Sequence, residues 1–185
     1  MTVEVFVGHS IVDKCYKFAD SVCKSYAAGR KEVSRNMQVP SKPRIDQDVE
    51  IQYTGRIAEY AACLYLGQDP ERSLNWGVQC DNGYDFIFYG VSIDVKATNN
   101  PRATRLIWPI SKNHLLKSAS DVFIFARVLK EKRGRLGQAV ELVGFVTKHR
   151  FISECQKAAS IPGIVDGTLF IDEKDLDELS TILHN

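Results

Sequence analysis

The stretch Gly83–Thr98 (GYDFIFYGVSIDVKAT) constrains the fold of this 185-residue chain more than any other. Apolar and polar residues alternate on both sides of Tyr89-Gly90, the pattern of two strands joined by a two-residue turn. Such a turn pairs Phe88 with Val91, Ile87 with Ser92 and Phe86 with Ile93, and sets Asp85 opposite Asp94. Successive side chains point to opposite faces of a strand. Tyr84, Phe86, Phe88, Val91, Ile93, Val95 and Ala97 therefore share an apolar face, and Asp85, Ile87, Ser92, Asp94, Lys96 and Thr98 share the other.

Opposed residues in an antiparallel pair hold their Cβ atoms about 5 Å apart, and like charges there destabilise the sheet. A purely structural hairpin gains nothing from facing Asp85 with Asp94, whereas a divalent cation between them turns repulsion into chelation. Two carboxylates with room for water suit a hard ion such as Mg²⁺ or Mn²⁺. Lys96 projects from the same face and could hold an attacking water or neutralise a phosphate. Glu59 adds a third acid, in a turn of Ile57, Ala58, Tyr60, Ala61, Ala62, Cys63 and Leu64. A carboxylate buried there is costly unless a metal or a cation pairs with it. A helix ahead of a hairpin normally packs on its sheet, which would bring Glu59 towards the aspartates. The competing structural reading is an ion-pair network beside a core.

An acid in a helix, then Asp, then Asp-x-Lys on the next strand, resembles the PD-(D/E)xK nuclease superfamily. The matching residues are Glu59, Asp85, Asp94 and Lys96, with Gly55 and Gly67 bracketing the helix. Tyr84 stands where the superfamily often has proline, and no Gln-x-x-x-Tyr follows the lysine. The likeness extends to the order helix, three strands, helix, strand over residues 50–130, and the size and the pattern around 140–151 look most like small nucleases of bacteriophages. The resemblance implies a restriction-endonuclease-like core and Mg²⁺-dependent hydrolysis of phosphodiester bonds in DNA, with Mn²⁺ able to substitute. Under it Asp85, Asp94, the Val95 carbonyl and Glu59 would ligate the metal, and Lys96 would orient or help deprotonate water. The alternative is a catalytically inactive nuclease-like module that binds DNA or a protein partner.

The rest of the chain reads as one mixed α/β domain over residues 1–185, with helices on both faces of a central sheet. Its strands are expected at 84–89, 91–98, 104–108, 121–129 and 139–147. A further short strand is expected at 2–7. Helices are expected at 10–28, where Ser10 and Asp13 resemble a capping box and Gly29 a stop, and from Thr54 to Gly67. More are expected at 111–118, 149–159 and 172–184, with an irregular connection over 30–50. The catalytic core would span about 50–150.

Charge is uneven. Residues 151–185 carry 2 Lys+Arg against 7 Asp+Glu, which leaves 22 against 16 in residues 1–150. A basic body suits a polyanion such as DNA, although acids at a helix start need no partner. Lys130, Lys132, Arg133 and Arg135 form a basic loop that could grip phosphates or simply solvate a hairpin tip. Arg102 and Arg105 follow the metal strand, and Lys112 opens a short helix with Ser111 and His114; all three cations are candidate DNA contacts. Trp76 and Trp108 are better read as packed than as base-stacking. No apolar run is long enough to span a membrane, no signal-peptide pattern opens the chain, and the five cysteines lack CxxC spacing. The chain is expected in a cytoplasm, that of the host if a phage encodes it. Duplex cleavage often uses two sites, which admits a homodimer, but no pattern marks a dimer face.

Overall fold

A computed structural model describes residues 2–34, 45–77, 83–108, 112–129, 137–157 and 168–183. It is a mixed α/β structure. Strand β1 (Val3–Gly8) runs into helix α1 (His9–Ser34), which is followed by α2 (Ile45–Tyr65) and the short α3 (Pro70–Ser73). Strands β2 (Phe86–Phe88), β3 (Val91–Thr98) and β4 (Arg105–Trp108) lead to α4 (Lys112–Lys117). Then come β5 (Val122–Val128), β6 (Gly137–Thr147), α5 (Lys148–Glu154), β7 (Gln156–Lys157) and β8 (Leu169–Asp172). The main sheet has the order β1-β6-β5-β3-β2, and β3 and β5 are its parallel pair.

The hairpin forms as its sequence demands. Tyr89 and Gly90 both have positive φ (46° and 85°), the backbone of a two-residue turn whose twist matches its strands. The ladder pairs Phe88 with Val91, Ile87 with Ser92 and Phe86 with Ile93, as the alternation requires.

β5 is buried along its whole length, because both faces of the main sheet are covered. On one side Val122, Ile124, Ala126 and Val128 join Ile93 and Val95 of β3 and Ile57, Ala58, Ala61 and Ala62 of α2 in one apolar cluster. On the other, Phe123 and Phe125 pack with Leu106, Trp108, Leu115, Phe151, Leu169 and Ile171. A bulge lets β6 serve both faces. The register steps from Phe125–Gly144 to Ala126–Leu142, so Val143 is unpaired and the alternation of β6 flips.

Several expectations fail for reasons visible in the packing. Strand 104–108 is not in the main sheet: β4 pairs with β8, which pairs with β7, in a separate three-stranded sheet. β1 is the main sheet's fifth strand instead. Gly29 does not end α1, which runs on to Ser34; one helical glycine costs about 1 kcal/mol and does not by itself stop a helix. Ser10 lies within that helix rather than capping it. α2 starts at Ile45, not after Thr54, and the Thr54 hydroxyl donates back to the Glu50 carbonyl at 2.7 Å. Of the helix expected over 172–184, the described residues 172–183 form no α-helix. Asp177 bridges Phe145 through two main-chain hydrogen bonds, 2.8 and 3.1 Å, and only 3₁₀ turns, Glu173–Asp175 and Leu179–Leu183, flank it. Residues 35–44 of the expected connection lie outside the described residues. Among the described residues no helix is long and apolar enough to cross a membrane.

Candidate functional site

The ladder of β2 and β3 ends at Phe86, one residue short of Asp85. The Asp85 main-chain N–H donates to the Ile93 carbonyl at 2.8 Å, and its Oδ2 accepts the Val95 N–H at 2.6 Å. The expectation that Asp85 lies squarely opposite Asp94 is therefore corrected: its carboxylate caps the main chain of β3 just beyond the end of β2. The N–H and C=O of one strand residue project to the same side, so the Val95 carbonyl also points to this edge.

Asp94 is 7% exposed, and its Oδ2 lies 2.7 Å from Lys96 Nζ. The Lys96 ammonium sits 4.8 Å from the centroid of the Trp108 ring, on the second face of the sheet. Glu59 belongs to α2, which packs on the first face through Ile57, Ala58, Ala61 and Ala62. The acids thus come from both sides of the sheet, and Asp85 stands at the edge between them. Burial and the charges of Glu59 and Asp94, in that order, push the Asp85 carboxyl well above the usual carboxylate range; the Val95 N–H and Lys96 pull it back. Three carboxylates and one lysine therefore act on a common region.

Each of these groups also has an internal partner. Glu59 Oε2 lies 2.7 Å from Arg56 Nη1, one helical turn before it, with both side chains nearly buried. Asp94 holds Lys96, and Asp85 holds the Val95 amide. Among the described residues no three His, Cys, Asp or Glu side chains close on one point as a preformed ion cage. The donor set is nonetheless what a hard divalent ion takes: carboxylate oxygens and a strand-edge carbonyl, with a cation in reserve. In donor chemistry the residues fit such an ion. In orientation they are turned to partners within the chain.

The other candidates divide. Arg105 is bonded to Asp172 at 3.0 Å and lies over the Phe170 ring, with about a third of its side chain exposed. Arg102 is exposed in the turn after β3. Lys112 opens α4, but its side chain, like Lys130, Lys132, Arg133 and Arg135, lies outside what is described. Trp108 packs edge-on to Phe123 in the core, and half-buried Trp76 packs edge-on to Phe18 at the margin of the other apolar cluster. Cys15, Cys23, Cys63 and Cys155 are free thiols. A cavity of about 850 Å³ lies beside the hairpin tip, lined by Phe88, Val91, Ile93, Phe145 and Ile182 among others; none of the four candidate residues lines it.

Sequence reading missed Arg56. Its i,i+3 spacing to Glu59 is the ordinary signal of a helical ion pair and was sufficient to find it. It also missed Asp121, whose Oδ2 accepts from the Ser92 N–H at 3.0 Å and lies 2.6 Å from the Ser92 hydroxyl. Those bonds hold the Asp121 carboxyl below its usual range and pin β3 to the entry of β5. Nothing local in the sequence announces a contact between residues so far apart. Comparison with protein-family models, with curated proteins and with solved structures gave no significant match.

Proposed function

We propose that this chain is a divalent-metal-dependent nuclease of the restriction-endonuclease-like type, hydrolysing phosphodiester bonds in DNA. The observation that carries this reading is the influence of Glu59 and Asp94, from opposite faces of the sheet, on one strand-edge carboxylate, Asp85, with Lys96 beside them. Asp85, Asp94, Glu59 and the Val95 carbonyl would hold Mg²⁺ or Mn²⁺. When bound, the ion supplies Lewis acidity toward the phosphate and lowers the pKa of a neighbouring water. Lys96 Nζ, fixed between Asp94 and the Trp108 ring, donates to a water or to a non-bridging phosphate oxygen. Asp94 and the ring together limit the positions that ammonium can take, which is how orientation lowers a barrier.

The second reading is a catalytically silent module that binds DNA or a protein. It is favoured by one specific observation: the acids already have partners in the chain, as a purely structural ion-pair network would. One experiment separates the two. Linear, nicked, branched and single-stranded DNA are incubated with the protein and Mg²⁺ or Mn²⁺, with Lys96→Ala and Asp94→Ala alongside. The nuclease reading expects cleavage that needs the ion and that each substitution lowers by about a hundredfold or more, the scale at which removing one group that stabilises transition-state charge is felt. Cleavage that both variants retain, or none with any substrate, would sink it.

A further inference from the structure

We propose that the cavity beside the hairpin tip is a binding site for an uncharged, largely apolar small molecule, bordered at its mouth by the Tyr89 ring. The site is separate from the acid cluster, because Glu59, Asp85, Asp94 and Lys96 do not line it. It stands whether or not the chain cuts DNA.

The cavity measures about 850 Å³, within the roughly 300–1,000 Å³ of small-molecule sites in general. Its wall is the open end of the main apolar cluster. Phe88, Ile93, Val122 and Phe145 are buried members of that cluster, and Ile182 packs against it from the last 3₁₀ turn. The wall is fixed without a ligand. Ile93 pairs with Phe86 on one side and with Val122 on the other. Asp177, itself bonded to Arg150 at 2.6 Å, ties the chain leading into the last turn to Phe145. A wall already in place spares a ligand the cost of ordering it.

Tyr89 is a second, independent sign. It is 91% exposed and holds a φ of 46°, at a turn position that usually takes asparagine, aspartate or glycine. An aromatic residue in the left-handed region is strained, and one so exposed adds almost nothing to the core. What it borders is the cavity. Its ring stands edge-on to Phe88, with centroids 4.7 Å apart and planes at 73°, so the two rings form a corner open to an apolar group. Val91, 37% exposed, extends the apolar mouth. Apolar surface left open around a concavity is the mark of a ligand groove.

Charge narrows the class. The cavity is also lined by Asp121, Lys148 and His149. Asp121 Oδ2 is engaged by Ser92, and Lys148 Nζ donates to the Ser118 carbonyl at 2.6 Å. Lys148 also helps to hold the Asp121 carboxyl below its usual range. One anion and one cation, each already partnered, offset each other and leave an ionic ligand no unmatched counter-charge. Thr147 and His149, both exposed, add hydrogen-bonding groups to the rim. The ligand therefore lays an apolar body against Phe88, Phe145 and Ile182 and turns a hydroxyl or amide to that rim.

The test titrates two fluorophores, uncharged N-phenylnaphthylamine and anionic anilinonaphthalenesulfonate, into the parent, Tyr89→Asn and Val91→Trp at pH 8, with melting curves alongside. The parent is expected to bind N-phenylnaphthylamine saturably, one molecule per chain, and more tightly than the sulfonate. Tyr89→Asn creates the favoured Asn-Gly turn and should melt no lower than the parent. It is expected to bind the uncharged probe about tenfold more weakly, the scale of one aromatic contact with the area it buries. Val91→Trp places bulk at the mouth and should abolish binding; if it does not fold, Tyr89→Asn decides alone. No saturable binding by the parent, or affinity that Tyr89→Asn leaves unchanged, would overturn the proposal. Tighter binding of the sulfonate would do the same by showing a cationic site. So would a parent that sediments as a dimer and a Tyr89→Asn variant that sediments as a monomer, since the cavity would then be an interface between two copies.

Discussion

The Asp85 carboxylate closes on the main chain of the neighbouring strand, its Oδ2 accepting the Val95 N–H at 2.6 Å. That one bond satisfies an edge amide which β2 is too short to reach, and it brings an acid beside two others. A charge so placed costs stability in the absence of a counter-ion, and the cost can be measured.

Asp85 ionises with difficulty in the folded chain because of burial first, then Glu59, then Asp94. In the unfolded chain it ionises near 3.9. Between those two values the native state binds the extra proton. The stability this group contributes is thus fully present below about pH 3.9 and is lost as pH rises through the raised folded value. In EDTA, Asp85→Asn should melt higher than the parent, with a larger margin at pH 8 than at pH 5. Each 1 kcal/mol relieved corresponds to about 2–4 °C in a chain of this size. A variant that melts below the parent at pH 8 would mean that the ionised carboxylate is favourably held. Saturating Mg²⁺ should raise the melting point of the parent and leave Asp85→Asn almost unmoved.

Gly144 is where the C-terminal segment crosses β6. A Cβ there would meet both the Asp177 carbonyl oxygen and Leu176 Cβ at 2.8 Å, closer than packed atoms tolerate. Gly144→Ala should cost about 1–3 kcal/mol, the range for overpacking, read as a lower urea midpoint. Gly8→Ala, where nothing lies within 4 Å, should cost far less and serves as the control.

Arg127 joins three segments from a nearly buried position on β5. It bonds Glu141 at 2.7 Å and the Ala103 carbonyl at 2.8 Å, and it also holds Glu173. Arg127→Met keeps most of the bulk and strands two carboxylates. Breaking a buried pair from one side costs about 3–5 kcal/mol, and the lower end applies because Glu141 and Glu173 retain some contact with water. Denaturant unfolding reads the loss, and a cost under about 1 kcal/mol would show that the network is ornamental.

Burial pushes the thiols of Cys15 and Cys63 up to about 12, and the thiolate is the reactive form. At pH 8 both should stay unlabelled by a thiol reagent for as long as the protein remains folded, while half-buried Cys155 reacts first among the free thiols described here. Peptide mass spectrometry after a short exposure checks this. Early labelling of Cys63 would show α2 opening away from the sheet.

Much of the frame was legible. The turn at Tyr89-Gly90 and the Phe86–Ile93 register follow from alternation and from a glycine with positive φ. The apolar runs at 121–129 and 139–147 fall in strands Val122–Val128 and Gly137–Thr147, and α2 carries Glu59 as expected. Two of the failures share a cause. β4 left the main sheet for β8, and residues 173–183 gave up a helical pattern to bridge Phe145 and cross Gly144. Each choice depends on a partner more than thirty residues away, which local periodicity cannot register.

The candidate site divides along the same line. The sequence by itself determined which residue types sit on one hairpin and one helix, because strand period, turn chemistry and helical spacing act over a few residues. Only the tertiary structure decided that Glu59 and Asp94 approach from opposite faces, that Asp85 folds onto the Val95 amide, and that Arg56 is pinned between Phe18 and Asn75. Those outcomes depend on which elements pack together and where a strand ends. Long-range burial settles both, and it rewards contacts without regard to their separation along the chain.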